Sequence, residues 1–133
     1  MKKTGNIPFD TKGFNLFGDL LGLHFSGVKE GSSLCHLEVS ENLLNPFKVV
    51  HGGVLFALAD TGMGAALYSL LKKEEHCSTI EIKINYFKTV SCGTITCESK
   101  VVNKGNKIAC LEAKIKNEGQ LIAAANGTFF IKN

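Results

Sequence analysis

The pattern of apolar and polar residues predicts one long, buried helix. From Val54 to Leu71 the chain is almost wholly apolar, and Asp60 is the one charged residue inside this run. Because the apolar residues fall on all sides, the pattern predicts a helix covered on every face rather than an amphipathic surface helix. His51-Gly52-Gly53 marks the start of the helix. Lys72-Lys73 follows its end, where cations suit the helix dipole.

Most of the remaining chain has the pattern of β-strands. A short helix is predicted over Phe14–Leu23, and two strands, over His24–Gly31 and Ser33–Val39, precede the long helix. After it the apolar residues recur with a period of two, which is typical of half-buried strands. The four strands predicted there span Ile80–Tyr86, Thr94–Val102, Ile108–Ile115 and Leu121–Ile131. The inward faces of the first and last are predicted to hold Ile80, Ile82, Ile84 and Tyr86, and Leu121, Ala123, Ala125, Gly127, Phe129 and Ile131.

The turns between these strands indicate the fold class. Residues 103–106 and 117–120 each contain a glycine and predict hairpins in which that glycine takes a positive φ. The four strands therefore predict an antiparallel meander with one apolar face. Such a face needs a cover, and only the long helix is large enough to supply one. We expect an α+β fold, a long antiparallel sheet wrapped around one central helix, with residues 1–133 forming a single domain.

Composition narrows the classes of function. The chain has 133 residues, of which 44% are hydrophobic and 20% charged, and a formal net charge of +3. It lacks the basic stripe that a nucleic-acid partner requires. Its five scattered cysteines contain no CxxC motif, which argues against disulfides or a zinc site and favours a cytoplasmic protein without a metal. The charge of Asp60 tells against Val54–Leu71 as a membrane span, so we expect no membrane partner.

Two features of the long helix are candidates for chemistry. The first is Asp60, because an ionised carboxylate in an apolar run is costly to bury without a partner. The second is the glycine-rich helix start. A helix N-terminus has free N–H groups and the positive end of the dipole, and glycine lets a ligand approach the backbone closely.

These candidates form a spaced motif that resembles a known family. Asn45 lies six residues before His51, His51 begins His-Gly-Gly, and Asp60 lies nine residues after His51. With the order of elements, this motif resembles the hotdog fold, and within it the PaaI-like (phenylacetate-degradation) branch of the acyl-CoA thioesterase superfamily. One departure is Lys48, three residues before His51, where many members have glycine. Lys48 either affects only the backbone shape of the loop or alters the entry to the acyl pocket.

The resemblance implies hydrolysis of acyl-CoA to a free acid and CoA, with CoA as part of the substrate and no cofactor. The N–H of Gly52, together with Gly53, would stabilise the thioester oxygen. Asp60 would act as a general base on water or attack directly to form an anhydride. Asn45 would hold the water or the thioester, unless it is an ordinary turn residue. His51 is either a catalytic base or, as we favour, a residue whose imidazole bonds the backbone at the helix start.

The resemblance also suggests residues that bind the substrate. A hydroxyl of Ser78 or Thr79 would bond Asp60 or water, and basic side chains would meet the phosphates of CoA. Apolar side chains would line the acyl pocket, although core packing explains them equally well. The lysines are Lys88, Lys104 and Lys107, and the apolar residues are Phe47, Phe56 and Met63.

The spacing within the helix predicts a dimer. Asp60 lies eight residues beyond Gly52, about 12 Å along the axis at ~1.5 Å per residue. One thioester carbonyl cannot easily contact both, whereas a two-fold dimer with antiparallel helices brings Asp60 of one chain near Gly52 of the other. The resemblance likewise implies homodimers, often paired into homotetramers.

Two alternative functions remain at this point. One is a non-catalytic hotdog module that binds acyl-CoA, against which Asp60 argues because a binder needs no buried acid. The other is a hotdog dehydratase or hydratase acting on acyl thioesters, against which the position of His51 argues. The identity of the acyl group is left open by the sequence.

Overall fold

A computed structural model describes residues 9–133, in which one long helix packs on one antiparallel sheet. The sheet has six strands in the order β1-β2-β4-β5-β6-β3. The strands are β1 (His24–Lys29), β2 (Ser32–Glu38), β3 (His76–Tyr86), β4 (Thr94–Lys104), β5 (Ile108–Asn117) and β6 (Gln120–Lys132). The helices are α1 (Leu16–Leu21) and α2 (Gly52–Tyr68), with a short 3-10 turn over Glu41–Leu43. This confirms the predicted α+β hotdog architecture.

The core lies between α2 and the inner face of the sheet. The helix packs against all six strands, and its side chains Leu58, Met63 and Leu67 are fully buried. The alternation predicted for β4 and β5 is confirmed: their buried apolar residues are Ile95, Cys97, Ala109, Leu111, Ala113 and Ile115. None of the helices within residues 9–133 is long and apolar enough to cross a membrane.

At Gly62 the helix comes very close to the sheet. A Cβ placed on Gly62 would lie 2.7 Å from the Oγ of Ser99 and 3.3 Å from the Sγ of Cys97. The Gly62 carbonyl accepts a buried hydrogen bond of 2.6 Å from the Ser33 hydroxyl on β2. Glycine at this position therefore sets the separation between helix and sheet. The hydrogen bond fixes the position of the helix along its axis.

The order of strands differs from the predicted meander. Of the four strands of that meander, β4, β5 and β6 are linked by hairpins in sequence, whereas β3 pairs with β6 at the far edge of the sheet. The connection from β3 to β4 crosses the structure, and within it the carbonyl of Val90 accepts from the N–H of Val50 at 2.7 Å. Alternating residues predict a strand and its faces but not its neighbours, so the prediction that β3 and β4 form a hairpin is wrong.

Two strand irregularities move residues to the opposite face. In β3 the register shifts between Thr79 and Glu81, and Ile80 is 56% exposed instead of facing the helix. In β6 a shift opposite Ile115 and Lys116 leaves Leu121 40% exposed and buries Ile122 to 1%. A bulge inserts one residue and reverses the alternation beyond it. The predicted inward positions of Ile80 and Leu121 are therefore wrong.

The two hairpin turns differ from each other. In the second, Glu118 and Gly119 take φ of 49° and 84°, the conformation of a two-residue turn with positive φ at both positions. In the first, Gly105 is not among the residues with positive φ, so the expectation for that glycine is wrong.

One face of α2 is uncovered in the single chain. Phe56 is 38% exposed and Asp60 is only partly buried, and both lie on a stripe with helical spacing. We call this the open stripe: Gly53, Phe56, Ala57, Asp60, Thr61 and Gly64, none of which is buried. The prediction of a helix covered on every face is therefore wrong for one chain. The helix also ends at Tyr68, before Leu71, with Ser69 as its C-cap.

Candidate active site

The carboxylate of Asp60 is held by a strand hydroxyl. Thr79 Oγ1 donates to Asp60 Oδ1 at 2.7 Å. No other hydrogen bond to this carboxylate is present among residues 9–133, so Oδ2 is available to a ligand. The register shift in β3 turns Thr79 toward α2. Of the two hydroxyls considered from the sequence, Thr79 makes the contact and Ser78 does not.

The surroundings of Asp60 are partly apolar. Cys77, two residues before Thr79 on β3, is half-buried, and burial raises the pKa of its thiol, with the negative charge of Asp60 raising it further. Cys77 and Asp60 are therefore close neighbours on the facing surfaces of β3 and α2.

The start of α2 leaves one backbone N–H without a partner. The Nδ1 of His51 accepts from the N–H of Gly53 at 2.8 Å, and the carbonyl of His51 accepts from Val54 at 2.9 Å. The N–H of Gly52 makes no hydrogen bond within residues 9–133. Gly52 is therefore the free donor at this end of the helix. Gly53 was predicted to be a second donor to the thioester oxygen. In this arrangement its N–H is not available, because it already donates to the imidazole of His51.

His51 acts in the structure as the N-cap of α2. Its Nδ1 is a hydrogen-bond acceptor there, so this nitrogen is not free to take a proton from water. The arrangement matches the favoured interpretation of His51 as a helix-start residue. A catalytic role for its other nitrogen stays a prediction.

Tyr86 is a site residue that the sequence reasoning missed. Its phenol donates to the carbonyl of Gly52 at 2.8 Å, and a Cβ on Gly52 would lie 3.2 Å from the ring. The alternation of β3 had already placed Tyr86 on the inner face. The missing information was that β3, at its C-terminal end, lies beside the first turn of α2.

Asn45 shapes the loop before the helix. Its Oδ1 accepts from the N–H of Phe47 at 2.8 Å and of Val49 at 3.4 Å, while the N–H of Lys48 donates to its carbonyl at 2.9 Å. Lys48 has φ of 66°, in the left-handed region. These contacts are those of a turn asparagine, the alternative role expected from the sequence. Of the polar side-chain atoms of Asn45, the amide nitrogen remains available to bond a substrate or water.

The other predicted substrate residues are scattered in the single chain. Phe47 is highly exposed, Phe56 lies on the open stripe, and Met63 is fully buried in the core beside Gly127. Within one chain, Met63 is therefore a core residue. The roles of Phe47 and Phe56 in an acyl pocket stay predictions.

The three predicted lysines lie at two ends of the molecule. Lys88 follows Tyr86, near the start of α2. Lys104 and Lys107 line a cleft of about 570 Å³ beyond the end of α2, together with Lys72 and Lys132. They do not form one phosphate site within a single chain. Within residues 9–133, no three His, Cys, Asp or Glu side chains are grouped so that they could hold a metal ion.

Comparison with known proteins identifies the family. The family model of the thioesterase superfamily matches residues 47–124, which include the helix start, Asp60 and Tyr86. The chain belongs to the thioesterase superfamily. A proposed esterase of Archaeoglobus fulgidus is 36% identical over 117 residues, covering 86% of this chain and 74% of that protein. The 1,4-dihydroxy-2-naphthoyl-CoA hydrolase of Listeria monocytogenes is 25% identical over 86% of this chain and 94% of its own.

Solved structures of this superfamily confirm the resemblance noted in the sequence. A thioesterase of Haemophilus influenzae superposes with a TM-score of 0.92 at 26% identity, covering 99% of this chain and 94% of its own. A variant of the phenylacetic acid degradation protein PaaI from Thermus thermophilus superposes with a TM-score of 0.81 at 26% identity, covering 87% of this chain and 98% of its own.

Proposed function

We propose that this thioesterase hydrolyses acyl-CoA, with Asp60 as the general base or nucleophile and the N–H of Gly52 as the oxyanion donor. One observation carries the proposal: Asp60 lies on the open stripe of an otherwise apolar helix, with one oxygen held by Thr79 at 2.7 Å and the other free. The relationship to a CoA-thioester hydrolase supports CoA as the thiol part of the substrate.

The chemistry needs a base, a nucleophile and an oxyanion donor. Asp60 Oδ2 takes a proton from water as the oxygen of that water attacks the thioester carbonyl carbon. The carbonyl oxygen becomes an oxyanion and accepts from the N–H of Gly52, at the positive end of the helix dipole. The tetrahedral intermediate then expels the CoA thiolate, which takes the proton. In the alternative route, Asp60 itself attacks the carbonyl carbon and the CoA thiolate leaves, after which water cleaves the resulting anhydride and restores the Asp60 carboxylate.

The proposed site requires two chains. Gly52 and Asp60 lie about 12 Å apart along one helix, at ~1.5 Å per residue, which is too far for one carbonyl to contact both. The open stripe on α2 and the exposed edge strand β3, which within residues 9–133 pairs only with β6, are the surfaces a partner would cover. A two-fold dimer with antiparallel α2 helices would place Asp60 of one protomer near Gly52 of the other. Pairing of such dimers into tetramers stays a prediction.

The first experiment compares wild type with Asp60→Asn. Loss of the thioester absorbance is followed over a panel of aromatic, short-chain and medium-chain acyl-CoAs. We expect kcat to fall by at least 10²-fold in the variant while acyl-CoA still binds, because the amide cannot take the proton from water. Asp19→Asn is the matched control and should leave turnover unchanged, since within residues 9–133 the Asp19 carboxylate accepts only from the N–H of Gly13, at the surface.

Two outcomes would count against the proposal. Equal turnover in wild type and Asp60→Asn would remove Asp60 from the chemistry. No turnover of any thioester by wild type, with acyl-CoA still bound, would favour the non-catalytic binding module instead. An absorbance readout is preferable to thiol-reactive dyes because five free cysteines are present.

A further inference from the structure

The first turn of α2 is held by a strand residue that lies far away in the sequence. The phenol of Tyr86 donates to the carbonyl of Gly52 at 2.8 Å, across 34 positions of the chain. The ring packs on the same glycine, 3.2 to 3.6 Å from where a Cβ would lie. A side chain at position 52 would press on this ring, so glycine allows the close contact.

The carbonyl of Gly52 does not need the hydrogen bond from Tyr86 in order to have a hydrogen-bond partner. In an α-helix that begins at Gly52, the carbonyl of Gly52 already accepts from the N–H four residues later. A carbonyl has a second lone pair, which water could satisfy at this partly exposed site. Tyr86 is itself about half exposed, so its phenol also has water available. The contact must therefore be explained by the geometry that it imposes.

Tyr86 and His51 hold the same peptide group from opposite sides. The carbonyl of Gly52 and the N–H of Gly53 belong to one planar unit. Tyr86 binds its oxygen, and His51 Nδ1 accepts from its N–H at 2.8 Å. Two successive glycines at a helix end have wide backbone freedom, and such ends fray. Fixing this unit limits rotation of the neighbouring peptide, whose N–H is the free donor of Gly52.

We propose that Tyr86 is a positioning residue of the thioester site, holding the first peptide of α2 so that the N–H of Gly52 stays directed at the substrate oxygen. This inference rests on the proposed function of Gly52. A donor that is already oriented before reaction needs no reorganisation as charge develops on the oxygen, and this is the source of its catalytic effect. Burial raises the pKa of the Tyr86 phenol, so it remains a protonated donor at neutral pH.

The test is Tyr86→Phe in the full-length protein, which removes the phenol oxygen and keeps the ring. With the best acyl-CoA of the panel, we expect kcat to fall about 3- to 13-fold, the range for loss of one hydrogen bond, and KM to stay within twofold. Tyr68→Phe, at the only other tyrosine, is the matched control and should retain wild-type kcat. A purely structural role for Tyr86 would change the unfolding temperature without this separation of kcat from KM.

A second readout does not depend on turnover. Amide hydrogen exchange of Gly53, measured by NMR, should become at least fivefold faster in Tyr86→Phe and stay unchanged in Tyr68→Phe. Unchanged kcat, an equal loss in both variants or unchanged exchange would overturn the proposal. If wild type hydrolyses no thioester, the proposed function fails, and the exchange rates still show whether Tyr86 holds the peptide.

Discussion

Replacing Lys48 by glycine tests how the loop before α2 is built. Lys48 has φ of 66°, a left-handed conformation, within the turn formed by Asn45. For a residue with a Cβ this conformation costs about 1–2 kcal/mol, whereas glycine adopts it freely. Glycine also makes the unfolded chain more flexible, which costs about 0.5–1 kcal/mol. We therefore expect Lys48→Gly to raise the free energy of unfolding by about 0.5–1 kcal/mol.

For a domain of this size, such a gain raises the unfolding temperature by about 2–5 °C, measurable by circular dichroism or calorimetry. Lys48→Ala is the matched control: it removes the same charge but keeps a Cβ, so it should not gain stability. Turnover should be unchanged in both variants if Lys48 affects only the shape of the loop. A lower unfolding temperature for Lys48→Gly, or an equal gain for Lys48→Ala, would refute the strain argument. A changed KM would show that Lys48 affects the entry of the substrate.

The remaining predictions concern the site, the core and the dimer. Thr79→Val removes the donor to Asp60, and we expect kcat to fall about tenfold, whereas Thr79→Ser should retain most activity. Gly62→Ala forces a Cβ to 2.7 Å from Ser99 Oγ; overpacking of about 1–3 kcal/mol should exceed the helix-propensity gain of about 1 kcal/mol and lower the denaturant midpoint. Ile80→Lys puts a charge on the exposed edge strand, and light scattering should show dissociation of the proposed dimer together with loss of activity; Ile80→Val should change neither. A Thr79→Val variant with full kcat, a more stable Gly62→Ala or an active Ile80→Lys monomer would contradict the corresponding argument.

Much of the fold could be predicted because the relevant signals are local. The apolar run from Val54 onwards gave α2, and strict alternation gave the buried faces of β4 and β5. The errors arose where distant parts of the chain interact. The bulges beside Ile80 and Leu121 depend on how strands pair, and the edge position of β3 depends on closure of the sheet around α2.

In the candidate site, too, local features could be predicted from the sequence and long-range contacts could not. Asp60 and Gly52 could be chosen from the sequence because an isolated acid and a glycine-rich helix start are local features. The occupied N–H of Gly53 and the contact of Tyr86 could not, because each depends on where one particular side chain lies. The choice of Thr79 over Ser78 required knowledge of the bulge in β3.

The hydrogen bond that α2 makes at Gly62 has a consequence for the acid on its other side. Asp60 lies two residues before Gly62, about half a turn around the helix, so the two residues face different strands of the sheet. The bond from the Ser33 hydroxyl to the carbonyl of Gly62 sets the level of the helix along its axis, and with it the level of the carboxylate against β3. At this level the short side chain of aspartate meets the short side chain of Thr79 at 2.7 Å. A shift of the helix by one turn, about 5.4 Å along its axis, would take the carboxylate out of reach of that hydroxyl. A buried serine on β2 thus sets the register of an acid that faces β3.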